Sequence, residues 1–314
     1  IWFDAHIKSI EANPSVNWLI PTDCDVPEKY PENIQFIEMS FKEVNLFFNK
    51  KLGFDVRRVL AIVIRYLTVD KRDIGAITQY FYWPTMDLVM WGIAGYWMVE
   101  TTPSSRGMVT AIILAQAFWN TALRGSFGTS LALMEEIWSQ NLLNVFATPL
   151  RVREWLAAAC VTACIRGTIP FLVVSFVAYF LFGANVLTVG WFIIPFVILM
   201  LMSSWWIGLV AAWFIISFGR QVAVLIWALG WFFGTFCGLW GPVSILPRAL
   251  QYVAWSLPMT YVFESLRALI LNQPVFLSYL VIAFVLNLLY LSITIYVFRV
   301  LFNYSRSRGF TRLM

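Results

Sequence analysis

Few residues in this 314-residue chain are of types that do chemistry, and their spacing is informative mainly for what it excludes. Asp23 and Asp25 in "TDCD" have the D-x-D spacing that can hold a divalent ion and a sugar phosphate, but one such pair is weakly specific. Cys24, Cys160, Cys164 and Cys237 form no C-x-x-C, and His6 is the single histidine, so no metal site is expected. No G-x-x-x-x-G-K-S/T occurs, and the last lysine is Lys71, so a phosphate-cradling loop of that kind cannot lie beyond it. The other charged pairs are local: Glu135 beside Glu136 in a polar connection, and Glu264 three residues before Arg267. No catalytic residue and no cofactor site is assigned, and no nucleic-acid partner is expected.

The elements that carry these residues are set by composition. Hydrophobic residues make up 60% and charged residues only 12%, against roughly 25% charged in soluble domains. With a mean hydropathy of +0.74, this is the composition of an all-α integral membrane protein. Apolar runs long enough for a bilayer, ~20 residues, lie near 78–99, 107–128, 156–182, 190–218, 222–241 and 276–302, which predicts six spans. No amino-terminal signal peptide is read, and a chain that opens on Ile1 is expected to lack its true start.

Basic residues give the orientation. Lys50, Lys51, Arg57, Arg58, Arg65, Lys71 and Arg72 precede the first span; Arg306, Arg308 and Arg312 follow the last. Both ends are therefore expected in the cytoplasm, on the inside of the cell inner membrane. The connection 129–155, with Arg151 and Arg153, and the turn at Arg220 fall on the same side. The outer connections hold Arg106, no basic residue at 183–189, and then Arg248 and Arg267, which weaken the bias.

In the inner connection Trp138, Leu142, Val145 and Phe146 share one helical face, Glu136, Gln140 and Asn144 make a polar stripe, and Pro149 ends the helix. Such a helix either docks into a groove on another protein or lies on the membrane surface; periodicity leaves both open. Residues 56–67 read as an interfacial helix, with Val56, Val59, Leu60, Val63, Ile64 and Leu67 as its apolar stripe and Arg57, Arg58 and Arg65 away from it. Pro242, Pro247, Pro258 and Pro274 cut 242–275 into pieces too short to span, which reads as re-entrant or interfacial half-helices on the outer side. Glu264 and Arg267 read first as a structural pair. Asp87, Arg124 and Arg166 lie at membrane depth, where charges face protein or water. Asp87 reads as the partner of a nearby arginine, while Arg124 has the alternative of snorkelling. Gly230, Gly234 and Gly238 make two overlapping G-x-x-x-G matches for close packing, within the chain or across a dimer.

The order "YFYWPTMDLVMWG", "LMEEIWSQNLLNVFATPLRVREWLAA" and "GPVSILPRALQYVAWSLPMTYVFESLRALI" resembles the permease subunit of ABC-2 type exporters, over about 56–314. The resemblance implies a homodimer or heterodimer of six-span subunits, with ATP and Mg bound by a separate ATP-binding cassette subunit. It also implies a cytoplasmic coupling helix contacting that ATPase through Glu135, Glu136, Trp138, Leu142, Phe146, Thr148 and Pro149. The half-helices with Pro247, Pro258, Glu264 and Arg267 would then shape the outer gate. Residues 1–54 read as strand, turn, strand and helix, and resemble the beginning of a small glycosyltransferase-like family. A segment of that size cannot close a nucleotide-sugar fold, so it is read as a non-functional α/β fragment, a truncated fusion or a gene-assembly artefact. The competing readings are a membrane-embedded glycosyltransferase and a passive channel or membrane scaffold.

Overall fold

The structure is a computed structural model that describes residues 18–21, 34–37, 55–139, 145, 148 and 150–307. In the first segments, β1 (Trp18–Pro21) pairs in parallel with β2 (Ile34–Ile37), Trp18 opposite Ile34. The helix expected after them lies outside the described residues. From residue 55 onward the described elements are helices: α1 (Val56–Asp70), α2 (Ile74–Tyr80), α3 (Tyr82–Thr101), α4 (Arg106–Trp138), α5 (Val152–Phe182), α6 (Ile193–Phe218), α7 (Leu225–Phe236), α8 (Arg248–Ser256), α9 (Pro258–Ile270) and α10 (Leu277–Ser307), with short 3-10 turns between some of them.

Among the described residues, three helical stretches are long and apolar enough to cross a membrane: Val152–Phe182, Val186–Phe218 and Leu277–Tyr304. They overlap the third, fourth and sixth expected spans. With 20 and 33 residues, α3 and α4 have the length for a hydrocarbon layer of ~30 Å. Their hydropathy is lowered by Asp87 in α3 and by Gln116, Asn120 and Arg124 in α4. The fifth expected span differs most. Helix α7 has only 12 residues, ~18 Å of rise, because left-handed glycines bound it: Gly219 (φ 76) before it and Gly238 (φ 75) after it. Hydropathy does not register such stops.

The axis of the bundle is α4, buried without interruption from 113 to 130. It packs on α5 and α6 and is flanked by α3, α7 and α9. Phe118 meets Phe171 of α5 and Phe196 of α6 at ring separations of 5.2 and 5.7 Å. The hydroxyls of Thr121, Ser126, Thr129 and Ser130 each bond to a carbonyl of their own helix, so burying them leaves no donor unmet. The sequence places the end of the second span near 128, but α4 continues to Trp138. Thr129, Ser130, Glu136 and Ile137 are polar enough on average to end an apolar run, yet all four are covered by protein. The connection expected over 129–155 is thereby reduced to 139–151 between helix ends.

Candidate functional site

The charged residues gather where α4 ends and α5 begins, under α1. Helix α1 starts at Asp55, whose carboxylate accepts the Arg57 N–H at 2.9 Å as an N-cap. Its inward face is Val59, Val63, Tyr66 and Asp70, with the two valines packed around Ala158 of α5. Val56, Leu60 and Ile64 remain exposed. The stripe read from the sequence therefore divides, half against α5 and half facing outward.

Three acid–base contacts fasten that inward face. Glu154, fully buried in the first turn of α5, accepts the Asp55 N–H and the Arg151 N–H, both at 2.9 Å, with Arg58 at 3.4 Å. Glu136, also fully buried, accepts the Tyr66 hydroxyl at 3.0 Å and pairs with Arg65. The Tyr66 oxygen in turn accepts the Trp155 indole N–H at 3.0 Å. Burial, then the Glu136 charge, pushes the Tyr66 phenol well above its ordinary range. At the end of α1, Arg166 binds Asp70 through two bonds, Nε at 2.9 Å and Nη2 at 2.6 Å. Arg166 also lies 3.6 Å from Glu135 and donates to the Gly128 carbonyl, and the Tyr80 hydroxyl donates to Asp70.

This placement sorts the residues expected to meet an ATPase. Trp138 is 53% exposed, Thr148 is exposed and donates to the Val145 carbonyl, and Glu135 is partly exposed. Glu136 faces inward, covered by α1, with its carboxylate engaged within the chain, while Gln140 and Asn144 of the expected polar stripe lie outside the described residues. Leu142, Phe146 and Pro149 lie outside the described residues. The sequence missed Asp70, Tyr66, Glu154 and Trp155 as members of this cluster. No local signal marks them as one cluster, since the contacts that join α1 to α4 and α5 run between residues 66 to 99 positions apart.

Nearby, Arg124 is buried against Asp87 at 3.3 Å and donates to the Gln79 side chain at 2.7 Å. The expected pair thus takes precedence over snorkelling. On α7, a Cβ at Gly230 would stand 2.4 Å from Leu123 and one at Gly234 2.5 Å from Trp119, both on α4 of the same chain. Gly238 lies beyond the helix end, in a left-handed turn, and is not part of that packing stripe.

At the opposite end, Pro247 precedes α8 and Pro258 opens α9, two short helices of 9 and 13 residues. Glu264 and Arg267 pair at 2.8 Å. Glu264 also accepts the Val243 N–H, and Arg267 donates to the Gly238 carbonyl, which ties the turn after α7 to α9. A cavity of about 450 Å³ lies against this pair, walled by Met108, Trp255, Ser265, Gln273 and Tyr279. The Tyr290 hydroxyl donates to the Ser256 carbonyl, and the Trp255 ring meets Tyr279, so the α8–α9 joint sits alongside the first half of α10.

A family model described as "Family of unknown function (DUF6625)" matches residues 1–59 and so reaches into the first turn of α1. No curated protein matches the chain.

Proposed function

We propose that the chain is the membrane permease subunit of a dimeric, ATP-driven exporter of the ABC-2 type, which moves an amphiphilic or lipid-linked substrate out of the cytoplasm. ATP and Mg are bound by a separate ATPase subunit. Helices α3, α4, α5, α6, α7 and α10 are the six spans, α7 being short enough that the bilayer must thin around it or its flanking turns extend it. Both termini and the 139–151 connection face the cytoplasm of an inner membrane, where α1 lies at the lipid surface with Val56, Leu60 and Ile64 outward. The α8–α9 joint is a re-entrant pair on the outer side, with α9 buried along most of its length and α8 keeping an exposed face.

The observation that carries the reading is how the connection is mounted. Buried Glu136 on one flank and buried Glu154 on the other are both held by α1, while Trp138 faces outward between them. A push on the connection would thus be delivered to α1, α4 and α5 together, as coupling of nucleotide-driven closure to spans requires. A passive channel has no need of such a mounting.

The test is a photoreactive residue at position 142, crosslinked in native membranes. Capture of a soluble ATP-binding subunit is expected; a clean negative with folded, inserted protein overturns the exporter reading. Replacing Trp138 and Leu142 with glutamate should uncouple transport without disturbing insertion.

A further inference from the structure

A second cavity, about 360 Å³, opens between α6, α7, the α8–α9 joint and α10. Its wall is carbon-rich: Trp206, Trp213, Phe232, Phe236, Tyr290 and Ile293 supply most of it. The five side-chain donors in the wall are all engaged by the protein. Trp206 donates to Asn287 at 3.1 Å and Trp213 to the Thr294 carbonyl at 3.0 Å. Tyr290 donates to the Ser256 carbonyl, Ser256 to the Val253 carbonyl and Thr294 to the Leu291 carbonyl. A water held here would find few of the two to four polar partners it needs. An empty space would forfeit the dispersion contacts of its lining.

In a bilayer crossed by α6 and α10 the mouth would face hydrocarbon. Helices α6 and α10 belong to the stretches apolar enough to cross a membrane, and Phe232, Val253 and Ile293 on the rim are exposed. Tyr290 stands roughly 20 Å along α10 from Leu277, near the middle of the Leu277–Tyr304 stretch. At the ~30 Å³ that a liquid water occupies, the space equals roughly a dozen such volumes, room for a stretch of alkyl chain.

We propose that this cavity is a binding site for one hydrocarbon chain of a membrane lipid, entering sideways from the bilayer between α7 and α10. The site takes a linear or branched alkyl chain and has no means of recognising a headgroup. The proposal rests on the membrane-spanning part of the reading above and is independent of export or an ATPase.

The test uses purified protein in nanodiscs made with a phospholipid that carries a diazirine at the end of one acyl chain. After illumination, labelled residues are mapped by mass spectrometry. Label on Trp213, Phe236 and Tyr290 should exceed that on Val285 and Leu289, which lie exposed on α10 away from the cavity. Val210→Trp, which fills the cavity from α6, should abolish the inner label and leave the outer label unchanged. Val253→Trp, from an exposed position on α8, is the second variant and should act alike if the first does not fold. Inner label no stronger than outer, or inner label that survives both variants, overturns the proposal, as does crosslinking of the wall to a second copy of the chain in place of lipid. Neither transport nor ATP enters the readout, so failure here and failure of the exporter reading are distinguishable.

Discussion

Replacing Arg166 with methionine removes the cation that answers Asp70 and lies beside Glu135, while keeping most of the side-chain volume. Asp70 is 6% exposed and takes two bonds from Arg166, at 2.6 and 2.9 Å. With Arg166 gone, the Tyr80 hydroxyl is the remaining side-chain donor shown to reach it. Breaking a buried pair by deleting one partner typically costs ~3–5 kcal/mol, because the other charge is stranded. For a protein of this size, that corresponds to roughly 10 °C in unfolding temperature. Asp70→Asn leaves a neutral group that can still bond to Tyr80, and the double variant carries no stranded charge. Thermal unfolding of all four proteins in one detergent gives a double-mutant cycle, in which a coupling of about 2 kcal/mol or more is expected. A loss below ~1 kcal/mol for Arg166→Met, with additive behaviour in the cycle, would refute the argument that this pair holds α1 to α5.

Other outcomes follow from the same geometry. Gly234→Ala should destabilise by ~1–3 kcal/mol through overpacking, and Gly230→Ala by less. The rigid Trp119 indole blocks the first Cβ and the movable end of Leu123 the second. Equal unfolding temperatures for the two variants would contradict this. Glu136→Leu should loosen α1, read as faster protease cleavage between α1 and α3, because Tyr66 and Arg65 lose their shared acceptor.

What the sequence made legible was local. Hydropathy runs located α5, α6 and α10, prolines located the breaks at α8 and α9, and an i,i+3 spacing located the Glu264–Arg267 pair. Each depends on neighbours within a few residues. The length of α4 was hidden because a helix sheathed by other helices can carry Thr129, Ser130 and Glu136 without meeting lipid. The early end of α7 was hidden because backbone sign changes at glycine leave hydropathy unaltered. The inward turn of Glu136 was the least legible, since a helical wheel shows which side is polar but not which distant segment covers it.

The separation of Asp70 from Arg166 by 96 residues also orders the birth of the protein. At a synthesis rate of ~5–20 residues per second, α1 waits roughly 5–20 s after leaving the ribosome before the arginine that receives its last carboxylate exists. The partners that α1 finds on Glu136 and Glu154 exist earlier, so among these contacts the bond to Arg166 is the last that can form. That bond closes only on a chain in which α4 and half of α5 have been made, so its closure reports that synthesis has passed the middle of α5.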